Sequence, residues 1–583
     1  INVGATTGMT LAAGATLTAS SAVIDELLSD ESGSRLTLDT QNITANEAIT
    51  VDQANDLGAT TTGKITATIN TNETVTELAT LLADGGTNDL TITIRLADAT
   101  AATAAQLNTI NAATALPVNL TNVTALAASA LADVDTLAQK ITAGEFSNGT
   151  GLTTVAISDG TIDATALATA IDRLDTANDG NTTDMTLATG ATINVDADEI
   201  THMLLDETEN RLDITDQKIT VTNAISAATA KLLADTTSGI VTATIDTGAR
   251  VSDLKLLPAE NNAFTIVINA LDQSSSTATE LNTIDAATTL AVNATNVTGL
   301  ASDDINDILT LLTAGNDEDK FTATSFSGLT SVVVADTTLD VANLVNSIAQ
   351  ANTATGKSTL AAGGAVFNIT AANTINGGNE ANFSSLLTHE GNGLLSVTDQ
   401  NLTVGSGTDE SISVANAILL AATTSGTVTS AIDNTESVDS LKTLFDAGET
   451  HALTITITNN AADASLSTAD EFNAINNATS VAVNLTNVTA LAASALSDLS
   501  TFATAVNAGE FSNGTGLTTV AVSNATFSAA ESLTLTETIN TLDTINVGAT
   551  TGMTLAAGAT LTASSAVIDE LLSDESGSRL TLD

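Results

Sequence analysis

Cysteine, tryptophan and tyrosine are all absent from the 583 residues. Without thiols the chain cannot form disulfides, thiolate metal sites or thiol redox centres. Phenylalanine, with 11 residues, is the only large aromatic side chain present. Alanine, valine, leucine and isoleucine must therefore fill the interior, and such small side chains suit thin layers better than one thick core.

Positive charge is also scarce, with 14 Lys and Arg against 68 Asp and Glu and a formal net charge of −54. A chain of this charge repels phosphate backbones and anionic membranes, so nucleic acid is not an expected partner. We interpret the acidity as a solvated outer surface that keeps a very long secreted polymer soluble. Cation capture is the alternative interpretation.

No uninterrupted apolar run approaches the roughly 18 residues of a membrane span, so membrane insertion is not expected. No signal peptide is visible in these residues either. The chain has two prolines, and 43% of its residues are hydrophobic against 14% charged. That balance predicts a folded chain rather than a disordered one.

The sequence repeats itself over a long period. Residues 1–39 return at 545–583 without a change, which sets the period at 544 residues. Because the sequence starts inside this pattern, we expect it to be part of a longer tandem-repeat protein.

Each period contains three diverged subrepeats. NTINAAT begins at Asn108, NTIDAAT at Asn282 and NAINNAT at Asn473. A second set of related motifs supports this division, since one motif in each subrepeat ends in a glutamine, at Gln41, Gln217 and Gln400. We therefore divide the chain into the start of one repeat unit at 1–39, subrepeat 1 at 40–216, subrepeat 2 at 217–399, subrepeat 3 at 400–544, and 545–583, which completes subrepeat 3 and starts the next repeat.

A shorter rhythm of about 30 residues runs through each subrepeat. Short β-branched runs such as KITATI predict strands; in the first subrepeat these runs begin near Arg35, Lys64, Leu90, Pro117, Leu152 and Met185. The segments between them predict helices, and capping boxes mark four helix starts. Those boxes pair Thr74 with Glu77, Thr103 with Gln106, Thr277 with Glu280, and Thr468 with Glu471.

Apolar spacing supports these helices. Val75, Leu78 and Leu82 should share one buried helical face, as should Val341, Leu344, Val345 and Ile348. Gly363, Gly364 and the run TINGGNE at 374–380 are expected to form an inserted loop.

Strand, helix and strand repeated at this spacing predict an α/β fold in which adjacent strands are parallel and the crossovers right-handed. The resulting architecture is a right-handed solenoid of short strands and helices with about 30 residues per rung. Strands stack about 4.8 Å apart but helices about 8 to 10 Å, so the solenoid should be curved or superhelical.

Units of the form TAxxLNTIxAAT, TTGxVTATI and VNLTNVTxL resemble the repeat regions of giant extracellular proteins of aquatic Gram-negative bacteria, including marine cyanobacteria. The resemblance implies a cell-surface, adhesin-like or motility-associated protein that leaves through one-step type I export. The glycine-rich calcium repeats that accompany many such exports are missing from this sequence.

Chemistry-bearing residues are few. The three histidines, His202, His389 and His451, fall in different rungs, so a conventional zinc site lacks ligands. Serine and aspartate are so abundant that no catalytic pair stands out. We therefore expect no catalytic residue, no cofactor and no enzyme activity.

One run loosely resembles a calcium loop, DTANDGNTTD at 175–184, with Asp175, Asp179 and Asp184 as candidate Ca²⁺ ligands. It departs from the EF-hand pattern because Ala177 stands at a ligand position and the final bidentate glutamate is missing. A plain turn around Asn-Asp-Gly is the competing interpretation.

Two functions fit these features. The first is a structural protein that forms an extracellular filament or cell-surface fibre, with copies of its own repeat as partners. The alternative is the stalk of a giant surface adhesin, whose binding module for a cell surface or surface glycans lies outside these residues. Both place the chain outside the cell.

Overall fold

The computed structural model describes residues 8–83, 87–149, 151–179, 181–259, 261–354, 364–405, 410–444, 451–457, 467–546 and 550–582. The fold is mixed α/β, with many short parallel strands in several sheets. Contacts divide the chain into two compact units. Unit 1 contains Ile1–Val267 and Ala286–Leu290, and unit 2 contains Ile268–Asp285 and Ala291–Asp583.

Nine helices and seventeen strands are described in unit 1. The helices are α1 Ser21–Ser32, α2 Val51–Thr60, α3 Val75–Leu78, α4 Ala104–Ala112, α5 Leu131–Thr142, α6 Ala164–Ala177, α7 Ile200–Thr208, α8 Ala227–Thr236 and α9 Val251–Leu254. The strands are β1 Met9–Thr10, β2 Thr16–Ala19, β3 Leu36–Thr37, β4 Asn42–Ala45, β5 Ile65–Thr68, β6 Asp89–Thr91, β7 Val118–Asn119, β8 Ala125–Ser129, β9 Phe146–Ser147, β10 Thr154–Ile157, β11 Thr161–Asp163, β12 Asp184–Thr186, β13 Thr192–Val195, β14 Leu212–Asp213, β15 Lys218–Val221, β16 Val241–Thr244 and β17 Ala263–Thr265.

The described part of unit 2 continues the same alternation. Its helices are α10 Ala278–Ala286, whose last residue belongs to unit 1, α11 Ile305–Ala314, α12 Val341–Ala354, α13 Glu380–Gly391, α14 Val414–Thr423, α15 Val438–Leu441, α16 Ala469–Asn476, α17 Leu496–Ala508, α18 Ala529–Ile545 and α19 Ser565–Ser576. Its strands are β18 Gly299–Asp303, β19 Ser331–Val334, β20 Thr338–Asp340, β21 Val366–Asn368, β22 Thr374–Asn376, β23 Asn401–Thr403, β24 Ser411–Ile412, β25 Val428–Ile432, β26 Ala452–Thr454, β27 Val483–Asn484, β28 Ala490–Ser494, β29 Phe511–Ser512, β30 Thr519–Val522, β31 Thr526–Phe527, β32 Gly552–Thr554, β33 Thr560–Leu561 and β34 Leu580–Thr581.

Every strand pairing among the described residues is parallel, as the sequence predicts. Paired residues are separated by as few as 20 positions, for Ser411 with Ala431, and by as many as 36, for Thr338 with Thr374. We call each repeated unit of strand and helix a rung, and its length therefore varies around the predicted 30 residues. In the described ranges no sheet closes on itself.

Many rungs contain two strands rather than the single strand that the sequence suggests. After β10, a short turn leads into β11 before α6 begins, and the two strands join different sheets: β8-β10-β12-β14 and β11-β13-β15-β16-β17. The second strand is hard to detect in the sequence because it has only two to five residues and lies just before the helix.

All four predicted capping boxes are confirmed. The Thr74, Thr103 and Thr468 hydroxyls each accept a hydrogen bond from the amide three residues on, and the backbone amide of each threonine donates to the side chain of that residue. In the fourth box the amides of Glu280 and Thr277 each donate to the other residue's side chain at 3.2 Å. These local patterns fix where the helices start because they satisfy amides that would otherwise lack a partner.

Two local predictions are wrong. Leu82 is exposed rather than buried, because α3 ends at Leu78 and the Leu82 amide donates to the Asn55 side chain at 2.9 Å. The run 374–380 is not an inserted loop, since it forms β22 and the Asn379 cap of α13. Gly363 lies outside the described residues.

A close backbone contact between rungs recurs at the three glutamines that anchor the subrepeats. The hydroxyls of Thr61, Thr237 and Thr424 donate to the carbonyl oxygens of Gln41, Gln217 and Gln400 at 2.8, 2.6 and 2.6 Å. Two residues after each threonine, a glycine amide donates back to the threonine hydroxyl; these glycines are Gly63, Gly239 and Gly426. The three glutamines therefore lie at one contact between neighbouring rungs, which recurs in each subrepeat.

The interior is aliphatic, as the composition predicts. Buried side chains alternate along strands such as β13 and β25, whose inward residues are isoleucine, valine or small. Val341, Leu344 and Ile348 of α12 are buried on one helical face, while Val345 is only partly covered. A thin apolar layer therefore lies between the helices and the strands.

Candidate functional site

The three candidate calcium ligands lie around the C-terminal end of α6. Asp175 is on the helix and is already engaged: its Oδ1 accepts from the Thr183 amide at 3.3 Å and its Oδ2 from Arg211 Nη1 at 3.2 Å. Asp179 is exposed in a left-handed turn with φ of 52°. Asp184 begins β12, where burial, with a smaller contribution from Asp213, raises its pKa.

This arrangement favours the plain-turn interpretation of residues 175–184 over the calcium loop. The Asp175 carboxylate is neutralised by an arginine, and an ion-paired carboxylate is a poor ligand for a cation. Throughout the described ranges, no three histidine, aspartate or glutamate side chains are arranged to hold a metal ion.

Arg211 is instead the centre of a cluster that the sequence did not reveal. Its guanidinium reaches Asp206 at 2.5 Å, Glu209 at 3.1 Å, Asp175 at 3.2 Å and Asp172 at 3.6 Å. Asp206 is buried, and burial raises its pKa against the opposing effect of Arg211. The signal available in the sequence was the Asp-x-x-x-x-Arg spacing, which the repeated segment shares.

That spacing places an ion pair at the same point of three rungs. In each pair the aspartate lies in the last turn of a helix and the arginine follows that helix. The arginine amide donates to the aspartate carbonyl at 2.8 Å in all three pairs, which are Asp206 with Arg211, Asp30 with Arg35, and Asp574 with Arg579. Near the end of subrepeat 2, His389 and Leu394 stand at these positions, and the Leu394 amide donates to the His389 carbonyl at 3.0 Å.

A second substitution, in subrepeat 3, introduces another buried histidine, His451. The amides of Ile65 and Val241 donate to the side-chain oxygens of Asn88 and Asn262 at 2.7 and 2.9 Å, whereas the amide of Val428 donates to His451 Nδ1 at 3.2 Å. Burial lowers the pKa of both His389 and His451. His202 is partly buried on α7, so the structure does not bring the three histidines together.

We expect acidification to weaken the rungs around β25. A histidine whose folded-state pKa is lowered binds fewer protons when folded, so stability is lost as the pH falls below its unfolded value of about 6.5. The loss is at most about 1.4 kcal/mol per pH unit for each histidine. His451→Asn restores the asparagine acceptor of the other subrepeats and should remove the part of this acid-induced loss of stability that His451 causes. The free energy of unfolding, measured between pH 7.5 and 5.0, tests this.

The matched control is Asn262→His in unit 1. It places the histidine acceptor in the second subrepeat and should create the acid sensitivity that His451→Asn removes. Equal pH dependence in all three proteins would contradict the account.

The repeated segment provides the most informative geometry in the molecule. Residues 8–38 and the described part of 552–582 form the same local structure: β1 pairs with β3 as β32 pairs with β34, and α1 and α19 have identical sequences. Among the described residues each copy has one neighbouring rung. The first copy packs against the rung that follows it, and the second copy packs against the rung that precedes it. The two copies therefore show what each face of one segment packs against.

The first face meets the preceding rung. Met9 is 62% exposed in the first copy, and its equivalent Met553 is 1% exposed in the second. The Asp30 side chain is 41% exposed, and its equivalent Asp574 is fully buried. In the second copy this face is covered by β30 and β31, which pair with β32 and β33, and by α18, whose Asn540 donates to Glu570 at 3.0 Å.

The second face meets the following rung. Ile24 is fully buried in the first copy, where β2 pairs with β4 and α1 packs on α2. Polar contacts join the same elements, since Gln53 accepts from the Ser21 hydroxyl at 2.9 Å and donates to Asp25 at 2.6 Å. In the second copy Ile568, equivalent to Ile24, is 46% exposed and Leu572 is 52% exposed.

Comparison with known proteins adds no functional assignment. No protein-family model matches the sequence, and a search of curated proteins finds no significant similarity. None of the described helices has both the length and the apolarity needed to cross a bilayer.

Proposed function

We propose that the chain is a structural tandem-repeat protein whose rungs stack as a right-handed, curved or superhelical α/β solenoid. Successive 544-residue repeats continue the stack and form an extracellular filament or cell-surface fibre. The observation that carries this proposal is the complementary burial of the two copies of residues 1–39.

The burial pattern supports continuation of the stack, because the next repeat can pack on residues 545–583 without an additional connecting segment. The exposed face at Ile568 has the sequence and local structure of the face that residues 40–60 cover in the first copy. A following repeat would begin with those same residues, so the next rung would bury Ile568 and Leu572 and pair with β33. Because residues 1–39 and 545–583 are identical, successive repeats would make identical contacts with one another, as an open helical assembly requires.

Composition supports the extracellular placement. Exposed like charges keep a long polymer dispersed, and the described helices carry many of the 68 acidic residues on their outer faces. A chain without cysteine can unfold for export and refold without thiol chemistry.

The proposal is tested by the dimensions of chains that contain one, two and three periods. Electron microscopy should show particles whose length grows by one constant increment per added 544 residues while the cross-section stays unchanged. Antibodies against residues 1–583 should label the surface of intact source cells. Separate globular particles joined like beads, or labelling only after the cells are opened, would contradict the filament and the location respectively.

A further inference from the structure

Three Asn-x-Thr triplets form the same tight turn where a strand ends. In each, the asparagine Oδ1 accepts hydrogen bonds from both the amide and the hydroxyl of the threonine two residues on; the asparagines are Asn119 of β7, Asn368 of β21 and Asn484 of β27. The hydroxyl bonds measure 2.6, 2.8 and 2.6 Å, and the amide bonds 2.9, 3.1 and 3.0 Å. All three threonines are exposed.

These bonds fix the orientation of the asparagine side chain. A backbone N–H can only donate, so the atom that receives it is the carboxamide oxygen and the nitrogen takes the other position. Asn148 and Asn513 of the next rung add a third bond to the Oδ1 of Asn119 and Asn484, at 3.2 and 3.0 Å. Within the described ranges, no protein atom accepts a hydrogen bond from Nδ2 in any of the three triplets, and Asn368 is exposed. Each triplet therefore has an unbonded amide nitrogen beside a hydroxyl that contacts its carbonyl oxygen.

The turn itself does not require an amide. Asp213 and Asp433 hold the same turn, and their Oδ1 atoms accept from the threonine amide at 3.0 and 2.9 Å and from the hydroxyl at 2.7 and 3.0 Å. The Nδ2 atom of the asparagines is therefore not used by the fold at this position.

Other Asn-x-Thr triplets nearby differ in this respect. Asn122 and Asn296 begin such triplets, but their Nδ2 atoms donate to backbone carbonyl oxygens of the preceding rung. The acceptors are Ile94 and Ile268, at 2.8 and 2.9 Å. A nitrogen held against the backbone of another rung is not available for a substituent.

We infer that Asn119, Asn368 and Asn484 are sites of N-linked glycosylation and that Asn122 and Asn296 are not. The inference rests on the proposed extracellular location, because Asn-x-Ser/Thr is the acceptor pattern of secreted glycoproteins.

The donor is a glycosyl diphosphate. Transfer forms a bond between Nδ2 and C1 of the sugar and breaks the bond from C1 to the diphosphate oxygen, which leaves with the electron pair. The Nδ2 proton passes to a base of the transferase. The threonine hydroxyl assists this step, because its hydrogen bond to Oδ1 stabilises the negative charge that develops on the carboxamide as Nδ2 loses its proton.

Mass spectrometry of the chain purified from its source cells tests the assignment, with fragmentation that localises the sugar to one residue. Asn119, Asn368 and Asn484 should carry a sugar, whereas Asn122 and Asn296 should be unmodified. A single hexose indicates a nucleoside diphosphate sugar as the donor and an oligosaccharide a lipid-linked one, and either supports the inference. Unmodified asparagine at all three positions, or equal occupancy of Asn119 and Asn122, would overturn it.

Asn368→Asp separates the sugar from the turn, because aspartate keeps the Oδ1 acceptor, as in Asp213, and removes the amide nitrogen. The variant should lose the sugar from this peptide in source cells. Parent and variant chains made in a host without a glycosyltransferase should unfold at the same urea concentration. Thr370→Ser keeps the hydroxyl and should keep the sugar, whereas Thr370→Val should lose it. A sugar that persists on this peptide in Asn368→Asp lies on another residue and would contradict the inference.

Failure of this inference is distinguishable from failure of the proposed function. A chain that antibodies label on intact cells but that carries no sugar overturns the glycosylation alone. The length increments of joined repeats are measured on chains made without glycosylation, so they test the stacking independently.

Discussion

Arg211→Gln should destabilise unit 1 by about 3 to 5 kcal/mol at neutral pH. The substitution removes the only cation in contact with Asp206, Asp175, Asp172 and Glu209 among the described residues. Asp206 is buried and would be left as an uncompensated carboxylate. Chemical denaturation at pH 7 measures the loss, which should shrink at lower pH because burial raises the pKa of Asp206 and favours its protonation.

The repeated segment supplies the control for this prediction. Arg35→Gln and Arg579→Gln change the same residue in the same sequence, but the first pair is exposed and the second includes a fully buried aspartate. Arg35→Gln should cost about 1 kcal/mol or less, as for an exposed ion pair. Arg579→Gln should cost several times more. Similar costs for Arg35 and Arg579 would show that the covering rung has no energetic effect on this pair.

Gly239→Ala should destabilise the protein by about 3 kcal/mol. An added Cβ would overlap the carbonyl of Gln217, a backbone atom of the preceding rung that cannot rotate away. Relief requires the two rungs to separate, which would also stretch the bond from the Thr237 hydroxyl to the same carbonyl. Gly63→Ala and Gly426→Ala meet the equivalent carbonyls of Gln41 and Gln400 and should behave alike.

Gly160→Ala is the matched control in the same unit. No atom lies within 4 Å of the added Cβ there, and the backbone is not left-handed. Its unfolding midpoint in urea should change by about 0.5 kcal/mol or less when converted to free energy. If Gly239→Ala is tolerated equally well, the rungs are less closely spaced than the structure indicates.

Local signals in the sequence predicted the parts of the fold that local chemistry determines. The capping boxes at Thr74, Thr103, Thr277 and Thr468 were readable because both partners lie within four residues. Parallel pairing followed from the alternation of strand and helix. The second strand of many rungs was missed because it pairs with residues 20 or more positions away. Leu82 was wrongly predicted to be buried because its amide donates to the side chain of Asn55, a residue of another rung.

The candidate site was less accessible from sequence. The carboxylate pattern at 175–184 suggested a cation, but the cation present is the guanidinium of Arg211, which is 36 residues from Asp175. Likewise, the replacement of Asn88 and Asn262 by His451 is visible only once the rungs are superimposed. The exact return of residues 1–39 was visible at once, yet which face each copy exposes depends on its neighbours in space.

The measurement that tests the stacking of repeats most directly is thiol accessibility at one position. Ile568→Cys should react rapidly with a water-soluble thiol reagent in the 583-residue chain at low concentration, where Ile24→Cys should be protected. Extending the chain by a further 544 residues should slow the labelling of Ile568→Cys to the rate of Ile24→Cys, because residues 40–60 of the next repeat would then cover it. An unchanged labelling rate in the extended chain would contradict the account.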